Sequence, residues 1–245
     1  MPETPHVSFI MPCYNEEGSI VYTVPRLVHA FRQAGYRLEL VACDNGSSDG
    51  TGAVIERFAR EGLPVVPHRV EVNRGYGFGV LSSIPRCTAP YVGIIPADGQ
   101  VDAEDVVKVY EAVSRASRPV IGKVRRRFRL EGPQRWFVSV VYNLSMAVLW
   151  PRLGTLDVNG SPKLIPRTVL DRMQLESGDW LLDAEIMIKA MYLGVGVIEM
   201  NAFSRMRETG SSNVRATTVF EFLRRLAQFR FGGAISRWRA GLPAA

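Results

Sequence analysis

Histidine and cysteine are scarce in this sequence, with three of each, and with them go the usual makings of metal cages and nucleophilic dyads. Cys13, Cys43 and Cys87 lie in or beside apolar, strand-like segments without metal-type spacing, which predicts buried free thiols in a reducing cytosol. His6, His29 and His68 all fall outside the polar loops that follow strands, so no histidine general base is in evidence. No basic stretch followed by an apolar one opens the chain, which argues against a secretory signal. The longest uncharged run, Trp136 to Pro151, is shorter than the roughly 18–20 residues that cross a bilayer. A soluble or peripheral protein is expected. Internal repeats and low-complexity segments are also missing.

What is present suits a globular α/β protein. The 245 residues are 47% hydrophobic and 22% charged, enough for a sizeable core. A net charge of +6 and a pI near 9.5 point to an anionic partner: nucleotide, phosphate, nucleic acid or an acidic membrane surface. Interleaved stacking aromatics and known nucleic-acid modules are lacking, so no nucleic-acid partner is expected.

Apolar runs alternate with helix-starting polar segments. His6–Met11, Leu38–Cys43, Val65–Val72, Tyr91–Ile95, Pro119–Lys123 and Gly196–Met200 read as strands. Helices are expected over Ser19–Gln33, up to about Arg60, toward Ile84, and over Ala103–Ser114, Trp136–Trp150 and Leu181–Met191. Pro25 marks a kink or a late start in the first, and Ser48 or Asp49 is the expected cap of the second. The stretch Val92–Gln100, VGIIPADGQ, organises the rest. Its apolar run fits a buried parallel strand, and the turn that ends it lies where open α/β sheets take ligands. Asp98 and Gln100 offer the oxygen donors that Mg2+ or Mn2+ requires, with coordination positions left over for phosphates. A plain strand-ending turn would use the same residues. The glycine-rich Asn73–Gly79 lacks G-x-G-x-x-G spacing, yet a glycine-rich helix entry beside Arg74 suits a phosphate.

The order of these pieces carries a resemblance. P-C-Y-N-E-E after the first strand, D-N-G-S-S-D-G-T after the second, N-R-G-Y-G-F-G before a helix and A-D-G-Q after an apolar strand resemble inverting family 2 glycosyltransferases of the GT-A fold. Dolichol-phosphate mannosyltransferases and related polyprenyl-phosphate glycosyltransferases are the nearest kind. The resemblance implies a mostly parallel, Rossmann-like sheet flanked by helices over residues 1–215, with a basic amphipathic tail over 216–245. It implies donor-nucleotide contacts at Pro12, Tyr14, Glu16, Asp44, Asn45, Arg74, Gly75, Ala97 and Asp98, and a Mg2+ or Mn2+ ion on Asp98 and Gln100. The usual motif is D-A-D-x-Q; Pro96 replaces its first Asp and removes one carboxylate. Acceptor-phosphate contacts are implied at Arg125, Arg127, Arg135, Ser139, Arg207 and Ser212. Asn213 stands where the family has a Lys. Asp98, Glu185 and Arg207 are the implied catalytic set, and Asp157 begins a region from which the sequence then departs.

The expected reaction is inverting transfer of a sugar from a nucleoside diphosphate, with GDP-mannose the first choice of donor, to a polyprenyl or dolichyl phosphate. The departing diphosphate needs its charge stabilised. A lipid phosphate is already anionic near neutral pH and can attack without a base. Two other readings stay open: a hydroxyl acceptor, which would need Glu185 or Asp183 as base, and a weakened nucleotide-sugar binding module. The tail, Thr217–Arg239, suits either a cytoplasmic membrane surface or docking on its own domain.

Overall fold

A computed structural model describes residues 4–128, 133–155, 157–203 and 216–242, with backbone alone at 126–128, 133–139, 203 and 216–222. Seven strands form one sheet: β1 (Val7–Cys13), β2 (Leu38–Asn45), β3 (Val65–Val70), β4 (Tyr91–Ile94), β5 (Val120–Phe128), β6 (Lys163–Pro166) and β7 (Gly196–Phe203). Their order is β3-β2-β1-β4-β6-β5-β7. Only the pairings made by β6, with β4 and β5, are antiparallel.

Strand β1 is buried on both faces apart from Pro12, as an interior parallel strand must be. Helices α1 (Glu17–Gln33), α2 (Thr51–Arg60), α3 (Tyr76–Ser83) and α4 (Ala103–Ser114) connect or flank the first strands. Helix α1 continues through Pro25 and buries Ile20, Val24, Leu27, Val28 and Phe31, one stripe at helical spacing. Gly50, not Ser48 or Asp49, caps α2; the Asp49 carboxylate accepts the Thr51 N–H (3.0 Å) from one position further out. At Gly93 the sheet and its core meet so closely that a Cβ would fall 2.2 Å from the Phe9 ring.

The second half holds α5 (Pro133–Leu149), α6 (Arg167–Met173), α7 (Leu182–Tyr192), α8 (Ala216–Phe231) and α9 (Ala234–Ala240). Strand β5 runs five residues beyond the expected Lys123 and takes Arg125–Arg127 into the strand itself. β6 and α6 were not foreseen. Helix α7 is not amphipathic: every residue from Leu182 to Ala190 is buried. The tail is two helices, broken where Gly233 adopts a left-handed φ of +78°. Leu226, Ile235 and Trp238 bury in the core, and Trp238 Nε1 donates to the Arg172 carbonyl (3.2 Å). Among the described residues, no helix is long and apolar enough to cross a membrane.

All three cysteines are free and buried. Burial pushes each thiol up, that of Cys87 to about 12, so almost no reactive thiolate exists near neutral pH. Ellman's reagent is accordingly expected to find no reactive thiol in the native protein and all three in guanidinium; a fast native reaction would refute their burial.

Candidate active site

The ends of β1, β2 and β4 reach one edge of the sheet together, with Cys13 beside Asp44 and Ile94 beside Lys163. Because β6 is antiparallel, it begins at this edge, and Lys123 of β5 lies alongside Lys163. Tyr14, Asp44, Asn45 and Asp98 thus share one rim, as the sequence implied.

The first two loops are laced together. Asn15 N–H donates to Ser47 Oγ (3.0 Å), Ser48 N–H to Asn15 Oδ1 (2.9 Å) and Glu16 N–H to Thr51 Oγ1 (2.9 Å). Glu17 accepts the Gly50 N–H, and Asp49 accepts that of Glu17 (3.3 Å). These two acids therefore build the loops. Asp44 and Asn45 are buried at the end of β2. Asp44 Oδ1 accepts the Ser47 N–H (2.9 Å), while Asn45 Nδ2 donates to the Gly75 carbonyl (3.0 Å). Tyr14 is half exposed, and Pro12 and Glu16 are partly buried.

The turn after β4 is fixed from below by α1. Thr23 Oγ1 donates to the Ala97 carbonyl (3.1 Å), and a Cβ on Gly99, whose φ is +65°, would fall 2.9 Å from Thr23 Oγ1. Asp98 is buried and its Oδ1 accepts the Gln100 N–H (3.2 Å). The described residues contain no group of three His, Cys, Asp or Glu able to cage a metal. One carboxylate and one amide oxygen nevertheless fit a hard cation that takes its other ligands from water and a diphosphate.

On the far side of β4 the rim carries two buried lysines, each paired with an acid, and beyond them the arginines of β5. Lys163, fully buried, pairs with Asp183 at the start of α7. Lys123, also fully buried, pairs with Glu199 (3.3 Å) and donates to Thr155 Oγ1 (2.9 Å) and the Asp157 carbonyl. Burial, then the neighbouring Lys163 charge, lower its ammonium to about 8. Tyr142 of α5 donates to Asn159 Oδ1 (2.8 Å), joining that helix to the loop before β6. Arg125 is half buried near the end of β5. Arg127, Arg135 and Ser139 are placed by backbone only, on β5 and α5, while Arg207 and Ser212 lie outside the described residues. The two lysines were missed in the sequence, although a lysine opening the apolar run K-L-I-P is itself a signal.

Two expectations change. The glycines of Asn73–Gly79 do not cradle an anion through the start of α3. Residues 176–179 lie across them: the Phe78 N–H donates to the Gly178 carbonyl (2.9 Å), and a Cβ on Gly77 would meet the Ser177 carbonyl at 2.3 Å. Gly75 N–H is taken by Asn73 Oδ1 (2.9 Å), and the Arg74 guanidinium lies 3.9 Å over the Phe78 ring. Glu185 does not face the rim. It is fully buried, accepts the N–H groups of Glu176 (3.1 and 3.2 Å) and Ser177 (2.8 Å), and pairs with Lys189 (2.5 Å). It is a positioning residue that straps the 174–179 segment onto α3.

The family model described as glycosyl transferase family 2 matches residues 8–173, from β1 to the end of α6. The chain belongs to glycosyl transferase family 2. This family 2 enzyme is 31% identical over 217 residues to an uncharacterised glycosyltransferase of Mycobacterium tuberculosis, covering 85% of this chain and 89% of the relative. It is 32% identical over 173 residues to an undecaprenyl-phosphate 4-deoxy-4-formamido-L-arabinose transferase of Pseudomonas fluorescens, covering 68% of this chain and 49% of that longer protein. In fold it is similar to glucosyl-3-phosphoglycerate synthase of M. tuberculosis solved with Mn2+, UDP and glucosyl-3-phosphoglycerate. The TM-score there is 0.69 at 19% identity, over 98% of this chain and 82% of that one. A mannosyltransferase of Pyrobaculum calidifontis bound to GDP-mannose and Mn2+ gives 0.61 at 21% identity, over 96% and 65%. The family 2 glycosyltransferase thus has a GT-A-like fold.

Proposed function

We propose that this glycosyltransferase moves a hexose, with inversion, to an acceptor that carries a phosphate. With a nucleoside diphosphate sugar as donor, the observation behind the reading is one rim with polar groups at Tyr14, Asp44, Asn45 and Asp98 and, beyond two acid-paired lysines, the arginines of β5. Tyr14, Asp44 and Asn45 hold base and ribose, and Asp98 with Gln100 would hold Mg2+ or Mn2+ on the diphosphate. Such an ion, when bound, stabilises the charge of the departing diphosphate. Arg125 and the arginines beside it attract the acceptor's phosphate, for which a guanidinium fork is well shaped.

The acceptor supported best is a small phosphate-bearing molecule that attacks through a hydroxyl. The synthase of similar fold was solved with such a product, and Asp183, which pairs with Lys163, is the candidate base on this reading. Polyprenyl phosphate is the second reading. It is favoured by the identity to an undecaprenyl-phosphate transferase and by the arginine run in β5.

Purified protein is to be incubated with GDP-mannose or UDP-glucose and either 3-phosphoglycerate or polyprenyl phosphate, in Mn2+ or in chelator. Metal-dependent transfer to the hydroxyl acceptor is expected, lowered about 100-fold or more by Asp183→Asn. Transfer confined to polyprenyl phosphate, and indifferent to Asp183→Asn, would overturn the hydroxyl reading. Absence of transfer from any donor would leave only a nucleotide-sugar binding module.

A further inference from the structure

Trp180 is the most exposed large aromatic near the rim, at 66%. It is not a loose surface residue. Its indole stacks on the Tyr76 ring at 5.4 Å and 11°, so one face is covered and the ring plane is set. The segment carrying it is held from several sides. Besides the bonds from Glu185, Lys189 Nζ donates to the Gln174 carbonyl (2.8 Å), and Leu181 N–H donates to Asp179 Oδ1 (2.8 Å). Arg225 of α8 also pairs with Asp179.

The position of this stacked pair is informative. Tyr76 opens α3 directly after Gly75, whose carbonyl is bound by Asn45 on the donor half of the rim. Burial raises the Tyr76 phenol well above its ordinary value, and the Asp183 carboxylate adds to the rise. Trp180 itself is three residues before Asp183. The stack therefore bridges the nucleotide loops and the carboxylate proposed to act on the acceptor. An aromatic face carries negative π density, and one face of a pyranose presents C–H groups that are weakly positive and poorly hydrated. The two surfaces match without any hydrogen bond.

We propose that Trp180, backed by Tyr76, is a stacking platform for a pyranose ring at the site, a role that rests on the glycosyltransfer reading above. The ring belongs either to the donor's hexose or to a sugar acceptor. Calorimetric titration of wild type, W180A and W180F with UDP, GDP, UDP-glucose and GDP-mannose in Mn2+ tests the first source. Steady-state KM for a hexose-phosphate acceptor tests the second. W180A is expected to bind the bare nucleoside diphosphate like wild type, which also reports an intact fold. It should weaken by about 3- to 10-fold either the nucleotide-sugar affinity or the acceptor KM, and W180F should restore most of the loss. Unchanged values in W180A for both overturn the platform while leaving the glycosyltransfer reading standing. Failure of the wild type to bind any nucleoside diphosphate sinks that reading and the platform with it.

Discussion

Asp98→Asn is expected to lower kcat/KM for sugar transfer by about 100- to 1,000-fold, with the far-UV circular dichroism and melting temperature unchanged. The size of the effect follows from what surrounds the residue. Asp98 is buried on the rim in a turn that Thr23 fixes from below, so its carboxylate is held in place before any ligand arrives. Pro96 provides no second carboxylate two residues earlier, and Gln100 brings only a neutral oxygen. Preorganised charge at a departing group is commonly the largest single contribution to catalysis, and removal of one such element costs about 100- to 1,000-fold. Here one residue supplies the only formal charge of the Asp98–Gln100 donor pair. Steady-state kinetics across a Mn2+ titration checks this. A variant that keeps wild-type kcat/KM at every Mn2+ concentration would remove Asp98 from the site.

Glu185→Ala should destabilise the protein by about 3–5 kcal/mol, the usual cost of breaking a buried ion pair by deleting one partner. The Glu185 and Lys189 side chains are 1% and 3% exposed, so a lone Lys189 ammonium has little water to turn to. The N–H groups of Glu176 and Ser177 lose their acceptor at the same time. Urea denaturation would show a lower midpoint at an unchanged slope. The double change Glu185→Gln with Lys189→Met should recover a good part of the loss, because both charges then leave the interior. A functional effect should accompany the structural one. With the strap loosened, residues 176–179 no longer press on the glycines of α3, and Gly75 no longer presents its carbonyl squarely to Asn45. Nucleotide-sugar affinity should fall under conditions where most molecules remain folded. A stability equal to wild type would show that the strap does not depend on this carboxylate.

These two residues also mark how far the sequence could be read. The place of Asp98 was legible because it is set locally: a short apolar run ending in a polar turn puts a carboxylate at a strand's end whatever else the chain does. The same logic put Tyr14, Asp44 and Asn45 at that edge, while the nucleotide role expected of them came from the resemblance. Glu185 was misplaced because its partners, Glu176 and Ser177, face it across a turn whose path no periodicity encodes. A burial of nine consecutive positions, charges included, also erased the amphipathic pattern that would have marked the helix face. The glycines after Asn73 were visible but ambiguous, since close backbone approach by a phosphate or by another segment asks for the same missing side chain. Strand β6 escaped because it is four residues long, opens with Lys163 and ends in a proline. Only the ion pair with Asp183, twenty residues later, makes a buried lysine there intelligible.

The antiparallel course of β6 has a consequence for synthesis. Strands β1 to β4 come from the first 94 residues and make a four-stranded parallel layer among themselves. They can leave the ribosome and pair before β5, β6 and β7 exist. β6 must then insert between β4 and β5, pairing with β4 across the chain from Ile94↔Lys163 to Tyr91↔Pro166. A nascent chain would thus complete the parallel layer first and close the sheet only when the later strands arrive.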